Sequence, residues 1–296
     1  MLDPNENKAA YTKYFSEALG FETSIQRSEA LKKSTRQAPW RFDLEINGKV
    51  KAFVLRIDAR SSLYEYQVLK AMEEIPIPTP KVYGLDEEGQ HLGEPCFFME
   101  LIKGESLLTY MKAGEGWADD LYISTANRLH AVQLGQLGEV AKLIKTETAE
   151  DVLDSAYEYL HSLDEPVAEA AYKKLKGNVP TLAQTCFSNG DLYPDNMLVK
   201  DKTLVAVIDF ANASVSDPLY EFLLTFFVHP ELRGRGIEEN FCESKGIDSK
   251  VLPWYHALEY FDTWRWVSKY GEPFVGYDED RLRSTMQKWV ETGSLD

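Results

Sequence analysis

The sequence predicts an α+β chain in two lobes: a small β-rich N-terminal lobe with one key helix, and a larger, mainly helical C-terminal lobe. Three observations point there. At 296 residues the chain exceeds the usual size of a single domain. Between Phe42 and Leu101 apolar residues recur at period two around turn signals. After Lys103-Gly104 the spacing changes to helix-length runs, broken by a compact β segment between Thr185 and Phe210. The expected boundary leaves residues 1–101 in the first unit and 102–296 in the second.

In chain order, Tyr11, Phe15 and Leu19 repeat every four positions and Gly20 follows, predicting a helix over 6–19. Phe42, Leu44 and Ile46 alternate, Asn47-Gly48 supplies a hairpin turn, and Ala52 to Ile57 returns as a strand. Ser61 or Ser62 caps a helix to about Glu74, which the proline run Pro76, Pro78 and Pro80 terminates. Short strands are expected near 81–83 and 95–101. Helices are expected near 117–133, 149–162, 164–176, 217–228, 252–270 and 278–289.

Composition removes several function classes. With 44% hydrophobic and 27% charged residues the chain is ordinary globular material. No apolar run approaches the ~20 residues of a membrane span. The polar, acidic N-terminus is wrong for a secretory signal, so a cytoplasmic protein with no membrane partner is expected. Three widely spaced cysteines and five scattered histidines predict neither a disulfide framework nor a His/Cys metal site. The net charge of −16 disfavours nucleic acid, and nearly all of the excess lies after residue 103, which favours a cationic ligand there.

Chemistry concentrates in Phe187-Ser-Asn-Gly-Asp-Leu-Tyr-Pro-Asp-Asn-Met-Leu-Val199 and in Leu204-Val-Ala-Val-Ile-Asp-Phe-Ala211. Asp191-x4-Asn196 precedes a hairpin turning at Lys200-Asp201-Lys202, and Asp209 closes an apolar strand. Phosphoryl transfer needs these groups together. One carboxylate must reach the attacking hydroxyl. A second carboxylate and a neutral amide oxygen suit magnesium, a hard ion held against phosphates.

These segments resemble the aminoglycoside phosphotransferase and choline kinase superfamily, protein-kinase-like small-molecule phosphotransferases. The usual signature is His-Gly-Asp-x4-Asn, then Ile-Asp-Phe/Trp, then Gly-Asp-Pro; this chain reads Asn189-Gly190-Asp191 to Asn196, Ile208-Asp209-Phe210 and Ser216-Asp217-Pro218. The resemblance implies a kinase-like two-lobed fold, ATP (or GTP) and Mg2+ as cofactors, Asp191 as catalytic base, and Asn196 and Asp209 as metal ligands. It further implies that Arg56 grips the phosphates, with Glu65 as its helix partner. The adenine would meet the Glu100 carbonyl and the Ile102 N–H at an interlobe hinge. Asp217-Pro218 reads as a helix N-cap and N1 pair, with a strut to the catalytic loop as a further role.

Three departures stand out. Asn189 replaces the usual His, keeping a donor and an acceptor. Arg56 replaces the usual Lys, bulkier and forked. The stretch Leu31 to Ala38, where a phosphate-covering loop is expected, has no glycine, leaving Ser34, Thr35 and Arg36 as alternative contacts.

The acceptor side rests on residues 252–270, where Trp254, Tyr255, Tyr260, Phe261, Trp264 and Trp266 accompany Glu259 and Asp262. Aromatics with carboxylates suit an amine-bearing ligand, and core packing explains the same aromatics. The expected activity is transfer of the γ-phosphoryl group to a hydroxyl of a small, amine-bearing molecule such as an aminoglycoside or amino sugar. The rival is a catalytically silent kinase-like nucleotide-binding module. A protein kinase is disfavoured, because no Ala-Pro-Glu activation segment follows Asp209.

Overall fold

A computed structural model describes residue 4 and residues 6–31, 38–57, 62–181 and 185–295. Ser34, Thr35, Arg36, Ser61 and the Ser62 side chain lie outside what is described.

The N-terminal lobe is built on one antiparallel sheet. Helix α1 (Lys8–Leu19) ends at Gly20 in the left-handed conformation, φ 70°. Strand β1 (Thr23–Ala30) pairs with β2 (Trp40–Ile46), which turns through Asn47 (φ 52°) and Gly48 (φ 72°) into β3 (Lys49–Ile57). Positive φ at both turn residues matches the twist of a two-residue hairpin. Helix α2 (Ser62–Met72) follows, then β4 (Val82–Asp86) and β5 (Cys96–Glu100), giving the order β1-β2-β3-β5-β4. The sequence did not single out β1, because it buries little besides Thr23 and Ile25 and carries no apolar alternation.

The two faces of this sheet have different fates. On one, Tyr11 and Phe15 of α1 pack on Phe42, Phe53 and Phe98, with Phe15 centred 4.9 Å from both Phe42 and Phe98. On the other, Phe97, Met99 and Val82 meet Val68, Leu69 and Met72 of α2 and join the continuous core of the C-terminal lobe. Helix α2 is therefore held by the larger lobe as well as by its own sheet.

The C-terminal lobe runs β6 (Glu105–Ser106), α3 (Leu107–Lys112), α4 (Gly116–His130), β7 (Lys145–Glu147), α5 (Ala149–His161), α6 (Pro166–Lys176), β8 (Cys186–Ser188), β9 (Met197–Lys200), β10 (Thr203–Val207) and β11 (Ser214–Ser216). Helices α7 (Pro218–Val228), α8 (Ile237–Lys245), α9 (Leu252–Tyr270) and α10 (Glu279–Thr292) complete it. Helices α3 and α8 are not evident in the sequence, being short and, in α8, mostly polar. β9 and β10 form the expected hairpin, turning at Asp201 (φ 50°) and Lys202 (φ 59°), with β6 on the other edge of β9. β11 pairs antiparallel with β8 and parallel with β7. Asp217 caps α7 by accepting from the Leu219 N–H at 3.1 Å, and Pro218 opens the helix. Among the described residues no helix is long and apolar enough to cross a membrane.

Candidate active site

Two loops meet where the chain leaves β8 and where it leaves β10. Gly190 sits at φ 80°, and a Cβ there would lie 1.8 Å from the Asn212 carbonyl oxygen. Only a residue without a side chain lets these loops touch.

The Asp191 carbonyl is the hub of the first loop. It accepts from Asn189 Nδ2 at 3.0 Å, from Asn196 Nδ2 at 2.9 Å and from the Tyr193 N–H at 2.7 Å. Asn189 is fully buried, and its amide also approaches the carbonyls of Ile208 (3.4 Å) and Asp209 (3.3 Å), tying the first loop to the second. The substituted Asn thus does scaffold work through its donor, while its Oδ1 is buried without a partner. One residue on, the Leu192 carbonyl accepts from the hydroxyls of Tyr122 (2.9 Å) and Thr225 (3.3 Å), which anchor the loop from α4 and α7.

This scaffold explains the Asp-x4-Asn spacing. A short 3-10 turn, Pro194–Asn196, swings Asn196 back so that its amide nitrogen caps the Asp191 carbonyl. Its Oδ1 then carries no hydrogen bond among the described residues. The Ile208 N–H donates to the Asn196 carbonyl at 2.9 Å, which sets Asp209 beside Asn196 across the hairpin. Asp209 adopts φ 59°, a conformation that Asp tolerates better than most residues.

The Asp191 carboxylate is oriented by Asn212, whose Nδ2 donates to Oδ2 at 2.7 Å. Asp209 Oδ1 is buried, accepts no hydrogen bond, and lies 3.8 Å from Arg56 Nη2. Arg56 in turn places Nε (3.1 Å) and Nη2 (2.9 Å) on the same oxygen of Glu65, which is 1% exposed. Glu65 points inward with Leu69 and Met72, both fully buried, as its helical spacing predicts. The Tyr64 hydroxyl donates to the Ala213 carbonyl, so α2 also holds the second loop directly. Asp191, Asn196, Asp209, Arg56 and Glu65 therefore share one neighbourhood, assembled from both lobes.

At the end of β5 the Leu101 N–H bonds to the Ala52 carbonyl (3.0 Å), and the Glu100 carboxylate accepts from Tyr83 (3.2 Å). The Ile102 N–H has no backbone partner among the described residues, leaving a donor at the hinge position.

Helix α9 presents a different picture. Tyr255, Phe261 and Trp264 are fully buried, and the Trp254 indole N–H donates to the Leu175 carbonyl (2.9 Å). Its aromatics are predominantly core. Glu259 is 2% exposed, with Oε1 unpartnered, and burial first and then Asp262 and Glu221 hold its pKa well above the carboxylate range. Asp262 accepts from Tyr220 (3.2 Å) and from Arg265 (2.7 Å). The Tyr193 phenol, within the first loop, is raised by burial and then by the charges of Asp191 and Glu259.

The expected strut from Asp217 to the catalytic loop takes another form. Apart from its cap bond, Asp217 accepts from the Tyr255 hydroxyl at 2.6 Å. The carboxyl beneath the loop is Glu221, which accepts from Ser214 (2.9 Å) and Ser216 (3.1 Å). Burial raises its pKa, opposed by those hydroxyls and by the Gly190 N–H. Glu221 lies one helical turn beyond the cap, so it turns to the same side as Asp217. Asn212, three residues after Asp209, could have been noticed as a second amide in the motif. Tyr122, about seventy residues from Leu192 in sequence, left no such signal.

The donor set suits a hard divalent cation. Asp209 offers a buried oxygen with no hydrogen bond, and Asn196 an amide oxygen that accepts none among the described residues, a pair of hard oxygen ligands.

A protein-family model described as the phosphotransferase enzyme family matches residues 41–255, well over half of the chain. The chain belongs to this family. It is a phosphotransferase of the small-molecule kinase type. Solved structures agree on the fold. A candidate aminoglycoside phosphotransferase from Ralstonia eutropha JMP134 superposes with a TM-score of 0.74 at 16% identity, covering 96% of this chain and 97% of that one. Aminoglycoside phosphotransferase APH(4)-Ia gives 0.69 at 16% identity, over 97% and 100%. ADP-bound APH(2'')-Ib gives 0.64 at 16%, over 97% of each chain. A mutant of APH(4)-Ia is known as a ternary complex with AMP-PNP and hygromycin B, with a TM-score of 0.68. No curated protein sequence matches this phosphotransferase.

Proposed function

We propose that this phosphotransferase moves the γ-phosphoryl group of ATP (or GTP) to a hydroxyl of a small, amine-bearing molecule. The observation that carries the reading is the oriented Asp191 carboxylate, held by Asn212 at 2.7 Å in the neighbourhood of Asn196, Asp209 and Arg56.

In this reading Asp191 receives the acceptor hydroxyl and takes its proton as the oxygen attacks. Asn196 and Asp209 are the residues that would hold magnesium. When bound, the ion neutralises charge on the phosphates. Arg56, braced by Glu65, lies against the phosphates, and its planar fork allows two contacts where a Lys gives one point charge. The Glu100 carbonyl and the Ile102 N–H take the adenine, in a cleft between residues 1–101 and 102–296. Support for a nucleotide comes from the AMP-PNP and ADP seen in structures of the same fold.

Support for an amine-bearing acceptor is the acidic C-terminal half and the hygromycin B bound by APH(4)-Ia. Glu259 and Asp262 are its proposed carboxylates. Of the two, Glu259 has a buried oxygen with no hydrogen bond, while Asp262 is already engaged by Arg265. Three free cysteines suit work in the reducing cytoplasm.

The test is a phosphorylation screen with magnesium and ATP or GTP over aminoglycosides, amino sugars, choline-like amines and neutral sugars. Phosphorylation of amine-bearing acceptors ahead of neutral ones is expected. Equal use of neutral sugars overturns the acceptor assignment, and no transfer with any acceptor favours the silent-module rival. Asp209→Ala is expected to lose magnesium-dependent nucleotide binding in calorimetry; unchanged affinity removes Asp209 from the metal site.

A further inference from the structure

A cavity of about 690 Å³ lies between the end of α4, strands β8 and β11, and the end of α8. None of Asp191, Asn196, Asp209 or Arg56 lines it. Val132, Leu134, Phe187, Val215 and Ile247 give it apolar walls, interleaved with polar side chains.

Two of the polar groups in this mixed lining are basic. His130 is 8% exposed, and neither ring nitrogen has a hydrogen-bond partner. Burial, aided by the Lys245 charge, pushes its pKa down to about 3, so the imidazole is neutral and offers one N–H. Lys245 is half-buried and makes no ion pair or hydrogen bond among the described residues; its amine has only the Phe241 ring, 5.6 Å from the centroid. Burial lowers its pKa as well. No acidic side chain among the described residues pairs with this partly buried ammonium. Buried polar groups rarely stay unpaired, because lost hydration is costly. Here the cation and the empty imidazole border one space.

We propose that this cavity binds a compact monocarboxylate with an apolar body, its head on Lys245 and His130 and its body against the five apolar walls. A carboxylate matches the supply of donors. A phosphate, with more oxygens and no apolar part, would leave oxygens unpaired and the walls bare. The site shares no residue with the transfer centre, so its ligand is distinct from the acceptor. Cys186 and Phe187 of its wall belong to β8, which runs directly into Asn189-Gly190-Asp191.

Calorimetry and thermal unfolding of the full chain with octanoate test this, with octanamide as the neutral twin and inorganic phosphate as the bare anion. Octanoate is expected to saturate at one per chain and to raise the unfolding midpoint. Octanamide and phosphate should bind about 10-fold more weakly or worse. Lys245→Met should weaken octanoate by about 10-fold or more, whereas Asp191→Asn should bind it as the natural chain does. Should Lys245→Met fold poorly, Lys245→Gln keeps the length and polarity and should lose octanoate equally. Absence of saturable binding, equal binding by octanamide or by phosphate, undiminished binding by the Lys245 variants, or loss in Asp191→Asn overturns the proposal.

Discussion

The stretch 187–218 and helix α9 both gather residues that chemistry uses, and the fold treats them in opposite ways. In 187–218 side-chain amides bond to main-chain carbonyls, and the carboxylates of Asp191 and Asp209 stay partly open. In α9 the aromatics fill the core and Glu259 is sealed beneath the surface. A polar motif at fixed spacing has few reasons to exist besides a site. An aromatic stripe on a long helix has the common reason of packing, so it says little about binding.

Predictions that break or sharpen this contrast begin with Asp191→Ala. Turnover should fall by roughly 10²-fold or more, with nucleotide affinity kept; near-normal steady-state turnover would remove the first region from the chemistry. Next comes Gly190→Ala. Its Cβ would collide with the Asn212 carbonyl at a positive φ, so the unfolding free energy should drop by about 3 kcal/mol and turnover should fall with it. Chemical denaturation that shows an unshifted midpoint would mean the two loops are not packed against each other.

Asn212→Ala removes one charge-assisted hydrogen bond, and kcat should fall roughly 10-fold with KM for the nucleotide unchanged. A rise in that KM alone would place Asn212 at the phosphates instead.

The smallest effect belongs to α9. The Glu259 carboxyl is raised in the folded chain, so between its unfolded and folded pKa the folded state binds more protons and stability falls as pH rises. Glu259→Gln should therefore equal the natural chain near about pH 4, below the unfolded pKa, and be the more stable by about pH 8, read from melting midpoints. An added rise in the acceptor's KM would make Glu259 a contact as well as a buried acid; identical melting at both pH values would mean that it titrates normally.

How much was legible follows from the same contrast. The Asn47-Gly48 turn, the Gly20 cap and the Asp217-Pro218 helix start could be read because local backbone geometry demands those residues. Asp191, Asn196 and Asp209 could be read because their order and spacing match a chemical need. Glu65 could be read because Leu69 and Met72 share its helical stripe. The scaffold was less visible. Glu221 stands under the loop in the place expected of Asp217, and Tyr122 reaches Leu192 from a helix far back in the chain.

Local chain chemistry thus determined most of the elements and the motif order, since each depends on residues near one another or on a single repeating geometry. Only the tertiary structure decided which aromatics were core, which carboxyl braced the loop, and that Lys245 and His130 would share one cavity. Those outcomes depend on distance and burial between distant segments, and neither quantity is written in the order of the residues.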